Sequence, residues 1–114
     1  MEALSPVIVH FAATYLPSLD DLEVLILCVE GREHWYDASA VSRKLGIPRG
    51  TARATLDHLA RCNLLDIRIT GDVRYRFRPG TSDLEAQAVT VVETYRRNPL
   101  QVLESIGARR NATS

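Results

Sequence analysis

The chain switches between two hydrophobic periods. Over most of its length, apolar residues recur every three to four positions, the spacing of one helix face. Over residues 65–78 they alternate singly with polar residues, the spacing of a strand. Ser5-Pro6 starts the first helical stretch, with Ser5 as cap and Pro6 in the first position. Residues 7–16 are apolar on nearly every side and stop before Pro17, so this helix needs cover on more than one side. The β-branched run 7–9 leaves a strand open there. Ser18 with Asp21 makes a capping box for a second helix carrying Leu19, Leu22, Leu25, Ile26 and Val29. Gly31 ends it, and Trp35-Tyr36 reads as a short extended pair of core aromatics. Asp37 caps a brief helix over 38–45 with Ala38, Val41 and Leu45 on one face, and Gly46 suits the left-handed residue after it.

A further helix is predicted over 49–62. Ala52, Leu56 and Leu59 point inward. Arg49, Arg53, Ala54, Asp57, His58 and Arg61 point outward. Asn63 takes a left-handed turn, and Leu64-Leu65 return to the core. The alternation beyond fixes a hairpin register. A two-residue Gly71-Asp72 turn would set Ile69 opposite Arg74 and mix the faces. A three-residue loop, Thr70-Gly71-Asp72, pairs Ile69 with Val73, Ile67 with Tyr75 and Leu65 with Phe77, gathering all apolar residues on one face. Arg68 then lies opposite Arg74, and Asp66 opposite Arg76.

Pro79-Gly80 breaks the strand. Ser82 with Glu85 is expected to box the next helix, which runs to Arg97 with a stripe of Leu84, Ala88, Val91, Val92 and Tyr95. Asn98 caps a last helix that buries Leu100, Leu103 and Ile106. The expected fold is mainly α with a small β-hairpin. Its segments are an N-terminal helix (1–17), a central unit (18–80), C-terminal helices (81–109) and a disordered tail (110–114).

The order helix, short strand, helix, tight turn, helix, hairpin resembles the winged helix-turn-helix of small bacterial regulators of the MarR, ArsR and PadR kind. The residues that carry the resemblance are 37–65 followed by the hairpin, with Leu45-Gly46-Ile47, Ala52, Leu56, Leu59 and Leu64 as a packing signature. The chain departs from that pattern at Pro48, where a capping Ser or Thr usually stands, and at Gly50, a weak helix former that would let the helix approach a phosphate backbone. The resemblance implies double-stranded DNA as partner. Arg49, Thr51 and Arg53 would contact bases, and Arg43, Lys44, Arg61, Arg68, Arg74 and Arg76 the backbone. It also implies a homodimer built on the terminal helices, with Val7, Ile8, Phe11, Leu84, Val91, Val92, Tyr95 and Leu103 at its interface. Two recognition helices would then stand about one DNA turn, ~34 Å, apart. The implied role is a cytoplasmic repressor acting on a palindromic site.

Charge changes the picture in one respect. The formal net charge is zero, but residues 31–80 hold ten bases and five acids, whereas residues 1–30 hold five acids and no Lys or Arg. A basic middle is the distribution expected if only that part meets an anion. Arg68 opposite Arg74 is a like-charge pair that an anion would relieve, although arginines on a hairpin also guard its edge against aggregation. A protein partner docking on the winged helix, without independent DNA binding, is the alternative reading. No apolar run reaches the ~18 residues of a membrane span. With no basic leader, no secretory signal is expected. Cys28 reads as a small core residue and Cys62 as a helix-end thiol. Neither shows ligand spacing with His10, His34 or His58, so no metal or cofactor is expected. No catalytic motif occurs, and no enzymatic activity is expected.

Overall fold

The computed structural model describes residues 5–112, with side chains described for 5–106. The elements run α1 (Pro6–Tyr15), α2 (Leu19–Glu30), α3 (Ala38–Leu45), α4 (Arg49–Arg61), β1 (Leu65–Ile69), β2 (Val73–Phe77), α5 (Ser82–Arg97) and α6 (Pro99–Ala112). Local chemistry sets most boundaries. The Asp21 carboxylate accepts from the Ser18 N–H at 3.0 Å and from the Ser18 hydroxyl at 2.7 Å, closing the start of α2. Asp37 caps α3 by accepting the Ala40 N–H at 2.7 Å. Gly46 ends that helix at φ 68°, a left-handed geometry that glycine adopts without a Cβ clash. Gly31 ends α2 for a different reason. Its φ is ordinary, but a Cβ there would collide with the Tyr36 hydroxyl.

The hairpin has the register that the alternation predicts: Leu65 pairs with Phe77, Ile67 with Tyr75 and Ile69 with Val73. Tyr36 joins it as a third, one-residue strand, exchanging 2.8 Å hydrogen bonds in both directions with the Tyr75 backbone. Only the base of the hairpin reaches the core. Leu65, Tyr75 and Phe77 are buried, while Ile69 at the tip is 74% exposed and Ile67 is exposed as well. Asn63 at φ 68° makes the turn out of α4.

One core joins all the elements. Leu22, Leu25 and Cys28 from α2, Val41 from α3, and Ala52, Leu56 and Leu59 from α4 are fully enclosed. They share a cluster with Phe11, Val91 and Val102 of the terminal helices. The N-terminal helix packs against α5 and α6, and α2 lies between α4 and α5. Ion pairs of 2.7 Å from Arg32 to Glu85 and from Arg96 to Glu30 fasten the α2 end to α5.

Four expectations are corrected. Thr81, not Ser82, caps α5 by accepting the Leu84 N–H at 3.1 Å. The face that α6 buries carries Val102 and Ile106, whereas Leu100 is 65% exposed, because contact with α1 and α5 rather than the first apolar residue decides which side turns in. That helix also runs to Ala112, past the expected start of the tail at 110; residues 1–4 and 113–114 of the outer segments lie outside the described residues. Finally, Ile8, Phe11, Leu84, Val91 and Val92, expected at a dimer interface, are already buried inside the single chain. Of that set Val7 stays 47% exposed, and Tyr95 and Leu103 are half-buried.

The thiols differ in reach. Cys28 is fully enclosed, and burial pushes its pKa up to about 12. Cys62 is half-buried, and burial followed by the nearby Asp21 charge also raises its pKa. A thiol reagent at neutral pH should therefore modify Cys62 slowly in the folded protein and Cys28 only after denaturation. Labelling of Cys28 at the native rate of an exposed thiol would contradict this packing.

Candidate nucleic-acid interface

The second helix-turn-helix element, α4, is bare at its start. Pro48 supplies no side-chain cap, and the first intrahelical bond runs from the Ala52 N–H to the Pro48 carbonyl at 2.9 Å. Gly50 has no positive φ and no neighbour within 4 Å of where a Cβ would stand, so nothing inside the chain requires glycine there. Outward from this helix and the end of α3, Arg43, Lys44, Arg49, Arg53 and Arg61 are exposed, and Thr51 is half-buried. Over residues 38–62 the acids number one, Asp57. Among the described residues, Arg43, Lys44, Arg49 and Arg61 make no hydrogen bond or ion pair with another side chain. Arg32 and Arg96, on the far elements, are neutralised internally. Lys44 and Arg43 also sit in the last turn of α3, where positive charge suits the helix dipole.

Two residues expected to face outward from α4 are only partly exposed and are held by other elements. Asp57 is 34% exposed in its side chain. Its Oδ1 accepts a hydrogen bond from the hydroxyl of Tyr75, a fully buried residue of β2, and its Oδ2 accepts from the Arg53 Nε at 3.3 Å. Burial, then the bond to Asp57 and its charge, push the Tyr75 pKa up to about 12 against the opposing pull of Arg53, so this hydroxyl stays a donor throughout the physiological range. His58 is half-buried and turns to α1, its Nε2 lying 2.9 Å from the Tyr15 carbonyl. A carbonyl only accepts, so Nε2 carries the proton. The same ring nitrogen is 3.9 Å from Asp21 Oδ1 and 3.7 Å from Cys62 Sγ. Sequence spacing missed this grouping, since Asp21 comes from another helix. Among the described residues no group of three His, Cys, Asp or Glu side chains could hold a metal ion.

The wing arginines are arranged differently from expectation. Arg68 does lie opposite Arg74, but no external anion is needed to relieve the pair. Arg74 Nε is 3.2 Å from Asp72. Arg68 and Arg76 instead lie over the ring of Trp35, with guanidinium carbons 5.7 and 4.5 Å from its centroid. Trp35 is thus not a core residue. Tyr36 pairs with Tyr75 and takes the core face, so Trp35 falls beside Arg76 on the outer face of the sheet and is half-buried under the two arginines.

Comparison with models of known protein families gave no match, and no curated protein matched the chain. A solved structure did. It is the solution NMR structure of the homodimeric winged helix-turn-helix DNA-binding domain of a possible ArsR-family transcriptional regulator from Mycobacterium bovis. It superposes with a TM-score of 0.59 at 20% sequence identity, over 86% of this chain and 93% of that one. The chain has the winged helix-turn-helix fold, with additional helices at both ends. No helix among the described residues is long and apolar enough to cross a membrane.

Proposed function

We propose that this chain is a homodimeric DNA-binding transcriptional regulator, a repressor acting on a palindromic duplex site, with α4 as the helix that enters the major groove. The observation that carries this reading is the segregation of charge. Arg43, Lys44 and Arg49, unpaired, flank the turn into α4, whose start no side chain caps, and Arg61 is unpaired at its far end, while two of the remote arginines, Arg32 and Arg96, are held in ion pairs. Arg49 and Arg53, with Thr51, occupy the N-terminal half of α4, the part that meets base edges in such motifs. Arg43, Lys44 and Arg61 take phosphates. Arg68, Arg74 and Arg76 remain backbone contacts, now secondary ones, because each already has a partner within the wing.

The solved neighbour is homodimeric, and two-fold pairing here would use the terminal segments 1–17 and 81–109. Val7, Val9 and Leu100 are the large apolar residues left exposed on α1 and α6, which pack on one another. Tyr95 and Leu103 border them. A second reading, a module that docks another protein, is favoured by the exposed Ile67 and Ile69 of the wing.

A salt titration separates the two. Binding to random duplex DNA, followed by fluorescence anisotropy, should weaken steeply as salt rises, with a slope of about −0.9 per phosphate neutralised. Absence of binding at low salt would sink the DNA reading and leave the docking one.

A further inference from the structure

We propose that Asp57 is a positioning residue for base recognition: held by the Tyr75 hydroxyl from the wing strand, its carboxylate fixes the Arg53 guanidinium so that the arginine's two terminal nitrogens face a guanine edge. This rests on the reading that α4 enters the major groove.

Both Asp57 oxygens have an assigned partner, Oδ1 the Tyr75 hydroxyl and Oδ2 the Arg53 Nε. A guanidinium offers more than one pair of donors. Asp57 takes Nε and the guanidinium also meets the Tyr75 hydroxyl, but each terminal nitrogen carries two protons, so an Nη1/Nη2 fork can still be offered to the O6 and N7 acceptors of guanine. An arginine already held loses less side-chain freedom on binding. The pair does little for the fold. It is substantially exposed, and exposed pairs contribute little. Its order, base before acid at i and i+4, is also the less favourable one for a helix. The hydroxyl that anchors it is equally unneeded for packing, since phenylalanine would fill the same core space at 75. The carboxylate also sets a negative charge on an otherwise basic surface. That charge disfavours binding to any duplex that cannot engage the arginine fork, and so widens the gap between right and wrong sites.

The test uses the full chain and a pool of duplexes with a randomised centre. Selected duplexes are compared with an unselected duplex of the same length, for the wild type, Asp57→Asn, Tyr75→Phe and Arg53→Lys. The wild type should select a guanine at one position. Asp57→Asn and Tyr75→Phe should each reduce the preference for that guanine by roughly tenfold. Asp57→Asn should at the same time bind the unselected duplex as well or better. Arg53→Lys, an exposed change that keeps the charge but has no fork, should lose the same preference. An unchanged guanine preference in the Asp57 and Tyr75 variants would overturn the positioning role alone. So would selection without any guanine, or parallel loss on both duplexes together with a lowered melting temperature. Failure of the wild type to bind any duplex would overturn the DNA reading and this inference with it.

Discussion

Leu56→Ala is expected to destabilise the protein by about 2–5 kcal/mol, measured as the shift in urea unfolding followed by circular dichroism. Leu56 has no exposed surface and sits on the inward face of α4 with Ala52 and Leu59. Truncation removes the transfer free energy of the lost methyl and methylene groups and leaves a cavity that rigid neighbours fill only partly. A domain of this size is stable by only ~5–15 kcal/mol, so the loss is a large share of the total. Leu100→Ala is the control. The same chemical change at an exposed site of α6 should stay within about 0.5 kcal/mol for the isolated subunit. If dimer formation uses that surface, the control acquires a dependence on protein concentration that Leu56→Ala lacks. A Leu56→Ala penalty below about 1 kcal/mol would mean that the core is not packed as described.

The second large effect concerns binding. Arg53→Ala should weaken binding to a selected site by about 1–3 kcal/mol, roughly fivefold to more than a hundredfold, and weaken random duplex much less. Arg53 is 55% exposed, at the fifth residue of α4, and its only ion pair among the described residues is with Asp57. Arg74→Ala should lower affinity for both duplexes about equally, as a phosphate contact does. The drop should be small, because Arg74 must first leave Asp72. Competition anisotropy at fixed salt reads both. If Arg74→Ala altered specificity and Arg53→Ala did not, the roles of helix and wing would be exchanged.

Much of this was legible in the chain itself, and the reason is locality. A cap is decided by a few adjacent residues, so Asp37, Gly46 and Asn63 declared their turns. The hairpin register was legible because a one-residue slip would have sent Ile67 and Leu65 to the wrong face. The inward side of α4 followed from the spacing of Ala52, Leu56 and Leu59 alone.

The misreadings share the opposite cause. Asp57 and His58 have outward positions on a helical wheel, but a wheel does not include what approaches from elsewhere. Tyr75 reaches Asp57 from a strand 18 residues later, and the Tyr15 carbonyl reaches His58 from 43 residues earlier. Trp35 left the core because its backbone neighbour Tyr36, paired with Tyr75, claimed the inner face. The choice of Val102 over Leu100 was decided by how α6 meets α1 and α5.

The sequence by itself therefore determined the order of elements, the register of the hairpin and the basic character of α3 and α4, since each depends on short-range pattern. Only the tertiary structure decided which of the chain's bases are free. It paired Arg32 and Arg96 with acids on other elements, laid Arg68 and Arg76 over Trp35, and tied Arg53 through Asp57 to the wing. Charge is a property of residues, but its availability depends on which partners folding brings within a few ångströms.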